Sequence, residues 1–225
     1  MDYKKLNRFL EKNEFLFLLI FLLAFLLLPS FFTDPNVKNG IIYGLLIAVI
    51  LIGIYELSES KHSFWAGVIF GLVALISNRI FVSESQTFIF LIRMGSLVSF
   101  FGLLTIHLLV RIAKTRMINT NLIYGAVNGY ILIGLIGGLG FRLINHFYPH
   151  SFVFESGLEA KIDDLTYFSF ITLSSLGYGD ITPVTPPGQS LAVFISICGQ
   201  MYTAIVIGII IGKFILIKKR DKPET

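Results

Sequence analysis

Asp163-Asp164-Leu165-Thr166-Tyr167-Phe168-Ser169-Phe170-Ile171-Thr172-Leu173-Ser174 runs directly into Ser175-Leu176-Gly177-Tyr178-Gly179-Asp180. The first part reads as a short half-apolar helix. About 12 residues at 1.5 Å each span roughly 18 Å, half the thickness of a membrane. Asp163 and Asp164 stand where acids favour a helix start. The second part stops the helix: two glycines flanking an aromatic permit backbone angles that other residues resist. Pro183, Pro186 and Pro187 then bar a quick return to helix. Extended backbone at membrane depth is tolerated only where it is buried in protein or lines a water-filled path. The stretch is therefore predicted to be re-entrant, its carbonyl groups needing partners that dehydrated cations can supply.

The rest of the chain is the setting for this segment. Of 225 residues, 55% are hydrophobic and 14% charged, and the mean hydropathy is +0.79. A soluble domain carries about 25% charged residues, so a soluble enzyme and a disordered chain are poor readings. The net charge of +4 and pI near 9.1 do not suggest nucleic acid, because the basic residues sit between long apolar runs. A single cysteine, Cys198, excludes an intrachain disulfide. Spans are expected near Phe15–Phe32, Gly40–Leu57, Phe64–Val82, Phe88–Ile112, Leu122–Ile144 and Gly188–Ile217. No small-x-small cleavage site follows the first run, so it reads as a retained helix. With the N-terminus cytoplasmic, 13 of the 18 Lys and Arg fall inside, four outside and Arg93 within the fourth span. That asymmetry places both termini in the cytoplasm and requires an even number of spans.

Thr172-Leu173-Ser174-Ser175-Leu176-Gly177-Tyr178-Gly179-Asp180 resembles the potassium-channel signature, commonly T-x-T-T-V-G-Y-G-D. The order of span, short helix, glycine-rich strand and span is similar to that family too. The resemblance covers roughly Leu122–Ile217. It implies a homotetramer conducting K+ passively, in which carbonyls of Ser175, Leu176, Gly177, Tyr178 and Gly179 replace the ion's water shell. The Ser175 hydroxyl would bound the inner end. No cofactor is implied beyond the permeant ion. Two residues depart from the pattern: Ser175 stands for the usual threonine and Leu176 for valine, both less restricted than their β-branched counterparts. A looser inner ion site is the expectation. Tyr167 and Phe168 occupy positions often held by tryptophan. Tyr167 is placed to hydrogen-bond Asp180 behind the filter, with ordinary aromatic packing as the alternative.

In the last span, Gly199 lies about 11 residues after Gly188, or roughly 17 Å, near mid-membrane. It resembles the family's inner-helix hinge; close helix packing is the other reading. Gln200 and Thr203 are polar at membrane depth and are expected to line the cavity. Cys198, Gly208 and Gly212 read as small packing residues. The fourth span has a voltage-sensor register but not its charges: Arg93, Ser96, Ser99, Gly102, Thr105 and Leu108 precede Arg111 and Lys114 at its cytoplasmic edge. One charge per subunit is worth about 2.3 kcal/mol per 100 mV, so four subunits give at most roughly 9. Steep voltage gating is not expected. Arg93 is expected to reach outward or pair with Glu84, His107 to be a hydrogen-bonded buried residue, and His146 and His150 to be solvated loop residues rather than a zinc or proton sensor. Glu155, Glu159, Asp163, Asp164 and Asp180 against Lys161 make a negative outer mouth.

The reading is thus an all-α membrane protein of six transmembrane helices, with a re-entrant pore helix and selectivity filter between helices five and six. It divides into a cytoplasmic N-terminus (1–14), a four-helix sensor-like domain without gating charges (15–116), a pore domain (117–217) and a short basic tail (218–225) able to touch anionic lipid. The expected place is a prokaryotic plasma membrane, with no cytoplasmic ligand-binding domain. A non-selective monovalent cation channel on the same fold is the nearest alternative. A secondary transporter would show paired broken helices, and an intramembrane enzyme would show HExxH, GxSxG or paired acids within the spans; none of these patterns is present.

Overall fold

The structure, a computed structural model, describes residues 14–80, 87–115, 120–154 and 162–220. In chain order these form helices α1 (Glu14–Leu27), α2 (Pro35–Glu56), α3 (Lys61–Ile80), α4 (Thr87–Lys114) and α5 (Thr120–Phe147). Strand β1 (Phe152–Phe154), helix α6 (Ile162–Leu173), strand β2 (Ile181–Pro183) and helix α7 (Pro186–Arg220) follow. Five helical stretches among the described residues are long and apolar enough to cross a membrane: Glu14–Phe31, Pro35–Glu59, Thr87–Lys114, Thr120–Phe147 and Pro186–Lys213. The expected third span corresponds to α3, which is not among these five stretches. The N-terminal segment, Glu84, Glu155, Glu159, Lys161 and the end of the basic tail lie outside the described residues.

The chain divides into two compact units, Met1–Gly129 and Tyr130–Thr225, with the division falling inside α5. In the first unit, α2 starts where Asp34 accepts from the Asn36 and Val37 amides at 2.8 and 3.4 Å, ahead of Pro35 at the first helical position. Leu18 and Leu22 of α1, Val49 and Ile50 of α2, and Phe100, Leu104 and Leu108 of α4 are fully or almost fully buried. Gly53 permits this packing: a Cβ there would lie 2.8 Å from the Phe100 ring. Polar residues in α4 bond back to their own helix, Ser96 to the Arg93 carbonyl at 3.0 Å and Thr105 to the Phe101 carbonyl at 2.7 Å. Arg93 is buried, its guanidinium 5.8 Å from the Phe90 ring centre.

Arg111 is more than the edge charge that its position in sequence suggests. It donates to Glu56 at 3.1 Å, meets Glu59 at 3.1 Å, contacts Glu14 and lies 4.6 Å over the Phe15 ring. One guanidinium thereby ties α4 to α1, α2 and the turn after α2. The Glu56 side chain is fully buried. His107 sits 3.7 Å from Glu59, an ion-pair distance, and its Nε2 has no hydrogen bond; the expected hydrogen bond at this nitrogen is not found.

In the second unit the core is Phe141, Phe152, Leu165, Phe168, Ile171, Leu173, Ile181 and Ile195. Phe168 meets Phe141 at 4.8 Å and Phe152 at 5.5 Å, and Phe141 meets Phe152 at 5.3 Å. This trio joins α6 to α5 and β1. Strands β1 and β2 pair antiparallel, Phe152 opposite Pro183 and Phe154 opposite Ile181. The ladder departs from the all-α expectation; three residues per strand are too few for an alternating pattern to register in sequence.

Arg111→Gln leaves buried Glu56 without its cation. The expected loss is about 3 kcal/mol or more, read as a lower unfolding temperature in detergent, and Arg111→Gln with Glu56→Gln should recover most of it.

Candidate functional site

Helix α6 matches the short helix read from sequence to within one residue at each end. Its packing depends on small residues of α5. Ser169 donates to the Gly134 carbonyl at 2.7 Å and is fully buried. A Cβ at Gly134 would lie 2.9 Å from Phe170 Cδ1, one at Gly137 3.0 Å from Ile195 Cδ1, and one at Gly138 3.1 Å from the Thr166 Cα. These glycines were not singled out in sequence. Their close spacing in Gly134-Leu135-Ile136-Gly137-Gly138 was the available signal.

The C-terminus of α6 is closed by its own backbone. The Ser175 amide donates to the Thr172 carbonyl at 3.0 Å, and the Leu176 and Gly177 amides to the Ile171 carbonyl at 3.0 and 3.2 Å. This is a Schellman-type cap with Ser175 in the left-handed position usually held by glycine, at φ +58°. A non-glycine residue there costs roughly 1–2 kcal/mol. Positive φ recurs at Gly177 (+53°) and Gly179 (+81°), every second residue. Among the described residues, no hydrogen bond within the chain is accepted by a backbone carbonyl of residues 175–179. Leu176 and Tyr178 are 60% and 67% exposed, so these acceptors belong to an open surface of the single chain.

The outer end of this segment is anchored twice. Tyr167 donates to Asp180 at 2.7 Å, and the other Asp180 oxygen accepts the Ile181 amide at 3.0 Å. The bond to Asp180 pushes the Tyr167 phenol up to about 12. Beyond it, β2 pairs with β1, and the Val184 amide donates to the Ser151 carbonyl at 2.9 Å. Of the two readings of Tyr167, the hydrogen bond is the one present.

The inner end meets α7. A Cβ at Gly199 would overlap the Leu173 carbonyl oxygen and lie 2.8 Å from the carbonyl carbon. Next along the helix, Gln200 donates from Nε2 to the Ser175 hydroxyl at 2.7 Å. Thr203 bonds back to the Gly199 carbonyl at 3.0 Å. Ser175, Gly199, Gln200 and Thr203 thus adjoin, with Leu176, Gly177, Tyr178 and Gly179 leading away toward Asp180. His146 closes the last turn of α5 and His150 lies in the turn beyond it. Among the described residues, no group of three or more His, Cys, Asp or Glu is arranged to hold a metal ion.

The family-model match falls on this unit. Residues 130–215 match the family model described as "Ion channel". A Rhodopseudomonas palustris protein named as a potassium channel protein is 38% identical over 61 residues, 27% of this chain and 15% of its own length. The Plasmodium berghei protein named potassium channel K1 is 59% identical over 32 residues, 14% of this chain and 2% of its own. The rice protein named two pore potassium channel c is 32% identical over 59 residues, 26% of this chain and 13% of its own. The chain therefore spans a small part of each relative's length. No solved structure matches it.

Gly199→Ala forces α7 away from the end of α6. It is expected to cost about 1–3 kcal/mol, with a lower unfolding temperature, while Gly95→Ala, where a Cβ meets nothing within 4 Å, leaves that temperature unchanged. With five helical stretches of membrane-spanning length and apolarity among the described residues and an ion-channel family match over residues 130–215, the chain is a membrane protein with a segment similar to ion channels.

Proposed function

We propose that the chain is the subunit of a tetrameric channel conducting K+ passively and selectively across a prokaryotic plasma membrane. The observation that carries this reading is the backbone of residues 175–179. Its inner amides are used up on the end of α6, while its carbonyls have no partner among the described residues. Backbone with positive φ at alternate residues turns successive carbonyls toward one side, the reverse face of an amide nest. Four such strands around an axis would offer rings of carbonyl oxygens to a dehydrated cation. Homotetramer formation also accounts for the exposure of Leu176 and Tyr178.

In this reading α6 enters the membrane from outside and the chain returns to the same side, so that α1 to α5 and α7 make six spans with both termini cytoplasmic. Gln200 and Thr203 line the cavity below the filter, and Gly199, besides allowing the close contact with α6, is the point where α7 bends to open. The front unit has no row of gating charges along α4 and acts as a scaffold. A non-selective cation channel is the second reading, favoured by Ser175 and Leu176 where the family commonly has threonine and valine.

The test is the reversal potential of the purified protein in planar bilayers. Under a potassium gradient, and with sodium replacing potassium on one side, a K+-selective channel reverses near the potassium equilibrium potential and is blocked by barium. Reversal near zero in sodium/potassium mixtures would establish the non-selective channel instead. At Gly177, where φ is +53° and a Cβ has open space, alanine is penalised only by backbone conformation, by roughly 1–2 kcal/mol. Gly177→Ala is expected to abolish the selective current while leaving the oligomer intact on size exclusion.

A further inference from the structure

The hydrogen bond from Gln200 to Ser175 joins the inner helix to the first residue of the filter at its hydroxyl, the only side-chain oxygen among residues 175–177. Three features make this bond consequential. Serine has no second substituent on Cβ, so its χ1 is freer than that of threonine. The backbone of Ser175 is already committed to a left-handed cap, which a β-branched residue would occupy at still greater cost. The side chain is exposed in the single chain, so no packing from its own chain holds its rotamer. What remains to fix the hydroxyl is the amide of Gln200. It comes within 2.7 Å because the neighbouring Gly199 lets α7 lie directly against the Leu173 carbonyl.

We propose that Gln200 is a positioning residue for ion selectivity: its Nε2–H holds the Ser175 hydroxyl so that the oxygen's remaining lone pair faces the permeating ion at the inner end of the filter. The donated bond occupies one of the two lone pairs of Oγ and leaves the other, with the hydroxyl proton turned aside. Gln200 thereby performs, through an amide from the next element, the restraint that a β-methyl supplies within one residue. This deepens the channel reading and rests on it.

The experiment is a double-mutant cycle on reversal potentials in sodium/potassium mixtures, using full-length wild type, Gln200→Leu, Ser175→Ala and the double variant. Assembly of each is checked by size exclusion. Gln200→Met, of similar length and without the amide, replaces Gln200→Leu should the latter not assemble. A K+-selective wild type with a roughly three- to tenfold fall in the K+ to Na+ permeability ratio on losing the amide is expected. Ser175→Ala should lower the ratio by a similar factor, and adding Gln200→Leu to it should change nothing further. A selective wild type whose Gln200 variant keeps the same ratio overturns the proposal. So does an equal additional fall in the Ser175→Ala background, because Gln200 would then act independently of the hydroxyl. A wild type that does not select K+ overturns the channel reading itself, which separates the two failures.

Discussion

Five consecutive backbone carbonyls, residues 175–179, without a partner among the described residues are the constraint around which the second unit is organised. An unpaired carbonyl is costly away from water, and an unsupported loop would satisfy these groups by folding them back. Here the geometry prevents that. The inner amides are tied to Ile171 and Thr172, the outer end is held by Tyr167 and Asp180, and the strand beyond is paired with β1. The carbonyls stay available because everything that would bend the segment inward is already engaged elsewhere.

That engagement depends in turn on the seat of α6. A 12-residue helix is marginal alone in water, and α6 is stabilised by burying Leu165, Phe168, Ile171 and Leu173. Glycines on α5 and Gly199 on α7 bring backbone to backbone on two sides of it. In a membrane, where helices gain little from hiding apolar surface from lipid, such close approach and the Ser169 to Gly134 hydrogen bond are the main sources of cohesion.

The first unit meets the same solvent problem differently. Ser96 and Thr105 bond to carbonyls one turn back, and Glu14, Glu56 and Glu59 gather at one guanidinium, Arg111. A helix whose register positions hold serine and threonine bonded to itself has little charge to move in a field. The arginine at its end is committed to three carboxylates from other elements.

The sequence by itself determined the helical membrane class, the short helix, its termination and the glycine-aromatic-glycine strand. Each of these depends on local quantities: apolar run length, capping acids, glycine's backbone freedom and proline's missing amide. The family resemblance offered the Tyr167 to Asp180 bond as one of two readings, beside ordinary aromatic packing. The other contacts exist only once the chain is folded. That Gly134, Gly137 and Gly138 seat α6, that Arg111 gathers Glu14, Glu56 and Glu59, and that Gln200 reaches Ser175 are contacts between residues far apart in sequence. The β1–β2 ladder also joins partners 27 to 31 positions apart, and its three-residue strands are too short for an alternating pattern to mark them. The left-handed backbone of Ser175 belongs here too: nothing in a serine asks for positive φ, and it is imposed by the turn from α6 into a segment anchored at both ends.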